Sequence, residues 1–274
     1  MTPGRRILIL APHPDDEIVG CAVAARRARA AGARVFVLYL TTGVPERDRL
    51  WRWQRAGYDM RVARRREEAL AAAKLIGLEP VGFQPWPSRR LRFHLGEALA
   101  LVETILVARR IDALWAPAWE GGHQDHDAAN VLASRFAAMR PVMEFAEYHF
   151  AAGRIHSQRF IAAGPRDEVI ALASRERALK RAALAVYRSE RGNLAHIGCE
   201  VESLRPLAAH DYATAPHPGR LFSARFQWVP FRHPRIDFDP PERVRAELAR
   251  FAEAVPPLPA PRAADGPATE ATGW

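Results

Sequence analysis

The sequence predicts an α/β protein: a Rossmann-like parallel sheet flanked by helices, with an irregular C-terminal cap. Two observations carry that prediction. In the first half of the chain, short runs rich in branched residues alternate with longer stretches of helical period, the spacing of successive β-α-β units. Two of those runs also lead into loops rich in His and Asp, and the carboxyl ends of parallel strands are where such sheets gather their chemistry.

The run Ile7-Leu8-Ile9-Leu10 is short and bounded by Pro12 and Pro14, which suits a buried parallel strand better than a helix. A helix from about 17 to 31 follows, then a strand over 35–40 closed by Thr41-Thr42-Gly43. This first unit reads β-α-β with a right-handed crossover. A polar insert laced with aromatic residues covers 44–58, and a helix is expected over 60–76. A strand near 81–84, a helix over 95–109 and a strand over 111–116 continue the pattern. Beyond the second loop come a helix-like run at 128–139, strands at 142–150 and 160–163, and a helix at 172–187. Short apolar runs broken by Pro and Gly predict an irregular cap with a few strands over 193–234, before a last helix at 241–254. Residues 1–254 therefore read as one domain. The Pro- and Ala-rich stretch 255–274 lacks a hydrophobic pattern and is expected to be a disordered tail.

Composition narrows the classes. The chain has 274 residues, 49% of them hydrophobic, enough for one α/β domain with additions. Its two cysteines, Cys21 and Cys199, cannot build a disulfide framework, and neither falls in a zinc motif. Arg5 and Arg6 precede an apolar run too short for a secretory signal, and cleavage there would remove the first acidic loop, so a cytosolic protein is expected. No apolar stretch approaches the roughly 20 residues that span a bilayer. The net charge of +9 raises nucleic acid as a partner, and arginines between 47 and 66 are interleaved with Trp51, Trp53 and Tyr58. No helix-turn-helix, finger or RNA-recognition signature accompanies them, and arginine among alanines is ordinarily a solvated helix face. Nucleic acid is not the expected partner. The insert instead reads as a lid over the sheet edge, with Trp51 and Trp53 offered to a sugar face and arginine to an anionic substituent.

The chemistry lies in two clusters. Ala11-Pro12-His13-Pro14-Asp15-Asp16-Glu17 places a histidine and three acids at the start of a helix, where the macrodipole favours negative charge. Capping needs one acid, and three within a turn repel one another. A divalent cation accounts for the cluster, since His and Asp are ordinary zinc ligands. The second cluster, Glu120-Gly121-Gly122-His123-Gln124-Asp125-His126-Asp127, repeats the same ligand chemistry after another strand. Strands neighbouring in a parallel sheet can bring both into one crevice. A metal-activated water, a carboxylate to take its proton and a donor for the oxyanion would make an amide hydrolase. Spacing alone leaves open which of Asp15 and Asp16 is ligand and which is base. The competing class is a non-hydrolytic nucleotide-sugar or phosphate-binding module, which should carry Gly-x-Gly-x-x-Gly after its first strand. Here that position holds His-Pro-Asp-Asp.

These residues resemble the PIG-L or LmbE-like zinc-dependent N-deacetylases. The family's Pro-His-Pro-Asp-Asp-Glu motif is matched by Pro12 to Glu17, and its His-x-Asp-His motif by His123, Asp125 and His126. The resemblance implies that His13, Asp16 and His126 bind zinc, that Asp15 is the general base, that His123 stabilises developing charge and that Asp125 supports the site. Ferrous iron suits the same ligands. A looser match, Arg65-Arg66-Glu67-Glu68 before Leu75-Ile76-Gly77, makes Arg65 a candidate for sugar hydroxyls or phosphate. The stretch from Lys180 to Tyr187-Arg188-Ser189-Glu190 is similar to another family segment, with Glu190 standing where the family has Gln. The implied activity is removal of an N-acetyl or other N-acyl group from an amino sugar or glycoconjugate.

Overall fold

The structure is a computed structural model and describes residues 4–228 and 240–259. Five strands form the expected parallel array: β1 (Arg6–Ala11), β2 (Arg34–Tyr39), β3 (Glu79–Phe83), β4 (Ala113–Pro117) and β5 (Val142–Phe145). Their spatial order is β3-β2-β1-β4-β5, and each neighbouring pair is parallel. Side chains alternate across the sheet, so Leu8 and Leu10 enter one core while Ile7 and Ile9 enter the other. The first core is closed by α3 (Leu95–Ala108), α4 (Gln124–Ser134) and α6 (Pro241–Ala254); the second by α1 (Asp16–Ala30), α2 (Tyr58–Ile76) and α5 (Ser174–Val186). Helices on both faces are the reason β1 reads as an unbroken apolar run.

The second half departs from the sequence reading. The strand expected over 142–150 is two: β5 ends at Phe145, and Tyr148–Ala151 (β6) pairs with Arg154–Ser157 (β7) in a separate hairpin. No strand covers 160–163; Glu168–Ala171 (β8) lies at the sheet edge instead. Val201–Pro206 (β9), expected within the irregular cap, enters the main sheet between β5 and β8, antiparallel to both. Its Val-Glu-Ser-Leu-Arg sequence hides a buried strand because Glu202 and Ser203 satisfy partners inside the protein. Helix α4 begins at Gln124 rather than near 128, so His126 lies within its first turn.

The rest of the cap has little regular structure apart from a 3-10 turn at Phe222–Trp228, fastened over the second loop where Ser223 N–H donates to Gly121 O at 3.0 Å. Residues 229–234 of the cap and 260–274 of the expected tail fall outside the described residues. Within 255–259, Leu258 packs against the first core and its N–H donates to Arg135 O at 2.6 Å.

Candidate metal centre

The strand order reverses at β1, whose neighbours are β2 on one side and β4 on the other. At such a switch point the loops beyond the carboxyl ends diverge and leave a crevice. The loop after β1 and the loop after β4 are the two His- and Asp-rich segments. Gly121 turns the second with φ +66, and a Cβ on Gly122 would stand 2.2 Å from the Tyr148 carbonyl oxygen. Only glycine lets that backbone pass.

His13, Asp16 and His126 converge. His13 Nδ1 lies 3.0 Å from Asp16 Oδ2, and His126 Nε2 lies 3.3 Å from both Asp16 Oδ1 and His13 Nδ1. Ligand atoms around a tetrahedral zinc with bonds of about 2.0–2.1 Å are separated by about 3.3 Å. The outer ring nitrogens are engaged elsewhere: His13 Nε2 meets Asp125 Oδ2 at 3.0 Å and Ser88 Oγ at 3.2 Å, and His126 Nδ1 faces Glu147 Oε2 at 3.3 Å. What points inward is therefore a set of two imidazole nitrogens and a carboxylate, the donor chemistry of a divalent cation site. The residues fit the metal that the motifs imply. The carboxyl of Asp16 is held well below its usual range because the flanking histidines outweigh the effect of burial.

Asp15 stands beside this point in a conformation rare for a residue with a side chain, φ +143 and ψ −25. Its N–H donates to Glu17 Oε2 at 3.2 Å, and its carbonyl accepts from Ile18 and Val19 at 2.9 Å. Glu17 in turn accepts from Tyr39 and Tyr187 hydroxyls at 3.1 and 2.6 Å. Burial, aided by the charge of Asp16, pushes the Asp15 carboxyl up to about 7 against the opposing pull of Arg65.

His123 is the N-cap of α4, its Nδ1 accepting the Asp125 N–H at 3.1 Å. Nε2 must then carry the hydrogen. Burial, with the positive neighbours His13, His126 and Arg89, holds the ring well below its ordinary pKa. His123 is thus held in its neutral form. Asp125 accepts from the backbone N–H groups of Arg89 and Leu91 as well as from His13, so the ring it orients is that of His13.

The substrate-binding candidates separate. Arg65 is buried, with Nη1 3.2 Å from Asp15 Oδ2 and 3.0 Å from Glu190 Oε1, so it stands against the Asp15 carboxylate. Trp51 and Trp53 stack on each other with centroids 5.0 Å apart. Trp53 is 75% exposed and lines a groove that runs from Arg65 and Glu190 along α2, away from the pocket that holds His13, Asp15, Asp16 and His123. Neither tryptophan lines that pocket.

Sequence reasoning missed Glu147, Ser88 and the Glu17 network. Glu147 had a signal: an acidic residue just past an apolar strand, at the carboxyl edge where the two loops meet. Ser88 had none, because a hydroxyl in a loop marks no partner 75 residues away, and the family-like segment that holds Tyr187 gave no sign of its partner 170 residues away.

The sequence of the PIG-L family, described as GlcNAc-PI de-N-acetylase, matches residues 8–137, which include both loops. The matched segment, a little under half of the chain, is similar to the PIG-L family. No curated protein matches its sequence. Among solved structures, the zinc-inhibited form of teicoplanin deacetylase aligns with a TM-score of 0.56 at 19% identity, covering 75% of this chain and 99% of that one. N,N'-diacetylchitobiose deacetylase from Pyrococcus horikoshii aligns at 0.54 and 17%, covering 74% and 84%. The 4-carboxy-2-hydroxymuconate hydratase GalB from Pseudomonas putida aligns at 0.52 and 15%, covering 75% and 97%. At these identities the likeness concerns the fold. A hydratase on the same scaffold as deacetylases means that the reaction of this chain has to be argued from its site.

Proposed function

We propose that this protein is a zinc-dependent N-deacetylase that removes an acetyl or other N-acyl group from an amino sugar or glycoconjugate. The observation that carries this reading is the convergence of His13 Nδ1, Asp16 and His126 Nε2 within 3.0–3.3 Å of one another, with His13 and Asp16 lining a pocket that the Asp15 carboxyl also lines. His13, Asp16 and His126 would hold the cation, which when bound polarises an acyl carbonyl and brings the pKa of a water from about 15.7 to about 7.

Asp15 takes the proton of the attacking water, and its carboxyl, pushed up to about 7, returns that proton to the leaving amine. Arg65 holds the Asp15 carboxylate in place from the side of α2. His123, locked by its N-cap bond with Nε2–H outward, donates to the oxyanion of the tetrahedral intermediate. A neutral ring suffices there. The nucleotide-binding alternative gains nothing from the geometry, because the turn after β1 is filled by His13, Asp15 and Asp16 side chains rather than by exposed backbone N–H groups.

The polar groups of Arg65, Glu190 and Asn193 around the pocket suit a hydroxylated substrate such as an amino sugar. No helix among the described residues is long and apolar enough to cross a membrane. Cys21 and Cys199 are buried free thiols, which accords with the cytosol as the proposed location.

The test is acetate release from N-acetylglucosamine derivatives, free and lipid-linked, by zinc-loaded protein, beside Asp15→Asn. Wild type should release acetate, and D15N should keep its zinc while losing turnover by about 10²- to 10⁴-fold. D15N turning over at the wild-type rate, or wild type holding no zinc, would refute the reading.

A further inference from the structure

Only one nitrogen of His126 faces the point where His13 and Asp16 meet. The other, Nδ1, turns to the opposite side of the ring and lies 3.3 Å from Glu147 Oε2. Glu147 stands two residues past the end of β5, only 1% exposed, and neither carboxylate oxygen has a hydrogen bond. Burying such a group unpaired costs a protein heavily. Yet the backbone is built to keep it there: Glu147 N–H donates to Glu120 Oε2 at 3.1 Å, and its carbonyl accepts the Gln158 N–H at 2.8 Å. Glu120 belongs to the loop that leads into His126, so the carboxylate and the imidazole are referred to one anchor.

We infer that Glu147 is a positioning residue: it accepts the Nδ1–H of His126 and so keeps the Nε2 lone pair aimed at the metal. The inference rests on reading His13, Asp16 and His126 as the metal site. A rotation of the imidazole within its slot aligns the N–H with Oε2, since the atoms already stand near hydrogen-bond distance. A carboxylate behind a ligating histidine fixes its tautomer and raises its basicity. The rival role is direct ligation, because one Glu147 oxygen lies within 4.8 Å of ligand atoms of Asp16 and His126. Geometry favours the outer role, for Glu147 meets His126 at the nitrogen turned away from His13.

Zinc affinity of stripped protein, measured against a chromophoric chelator and scaled to the folded fraction from circular dichroism, tests this without any substrate. Glu147→Ala should weaken zinc by about 10- to 100-fold, while Glu147→Gln, whose amide oxygen still accepts from Nδ1, should recover all but about threefold. In a His126→Ala background, adding E147A should change nothing further. Where E147A does not fold, Glu147→Asp replaces it, its shorter arm falling away from Nδ1 and weakening zinc while E147Q does not. The inference is overturned if E147A, or E147D in its place, binds zinc like wild type, or if E147Q is as weak as E147A, which marks a ligand. A wild type that binds no zinc overturns the metal site itself and this inference with it.

Discussion

Asp15 holds a backbone geometry that costs on the order of 1–3 kcal/mol, and such residues persist only where their surroundings over-determine them. Glu17 supplies that constraint, tied by two tyrosine hydroxyls from β2 and the end of α5. The strain directs the Asp15 side chain toward Arg65 while Asp16, the next residue, turns to His13 and His126. Adjacent acids thereby face different partners, a difference that spacing alone had left open. His123 gives a separate expectation. Because its ring is held neutral and fixed by the N-cap bond, His123→Ala should lower kcat by about 10²- to 10³-fold, as loss of one oxyanion donor does. KM and zinc content should stay near wild type, and steady-state kinetics with metal analysis would check both.

Helix α1 is broken at Cys21, where φ is −149 and ψ is 25. A break frees backbone groups on both sides, and here each is met from another element. Glu202 of β9 accepts the N–H groups of Val23 and Ala24 at 3.0 and 2.8 Å, and Lys180 of α5 donates to Val19 O at 2.8 Å. Lys180 Nζ also donates to Glu202 Oε1 at 2.8 Å, and both side chains are fully buried. The first half of α1, which carries Asp16, is thus aimed by a pair on distant elements. Lys180→Met leaves Glu202 buried without its counter-charge and should cost about 3–5 kcal/mol, whereas Lys180→Met with Glu202→Leu should cost much less. Urea denaturation of the three proteins would show it. The pairing of β5 with β9 has its own pH dependence. Burial opposes ionisation of Glu144 on β5, but hydrogen bonds from His210 and the Arg205 guanidinium of β9 hold its carboxyl below the usual range. Stability from this group is complete above the unfolded value of about 4.3 and is lost as pH falls toward the lower folded value. Glu144→Gln should remove that part of the acid-side slope in denaturation midpoints taken from pH 6 down to about 3.

The whole domain meets at one crevice, since α1, α4 and the loops after β1, β4 and β5 all reach it. A cation held there stabilises the folded state alone. Zinc at about a thousand times its dissociation constant should add roughly 4 kcal/mol, a rise in Tm on the order of 10 °C that a chelator reverses. An unchanged melting curve would count against the site. Periodicity made β1 to β4 and most of the helices legible, because a strand covered on both faces must be apolar and a helix covered on one must repeat. It failed at β9, where Glu202 is buried against Lys180, and at β8, whose residues are largely exposed at the edge. What the chain determined by itself was local: the apolar strands, the turns after them and the His and Asp residues that those turns carry. Which nitrogen faces inward, which ring Asp125 orients and which acid stands behind His126 were decided only by folding. Those choices depend on contacts between residues far apart in the chain, and no local pattern records a partner that arrives through space.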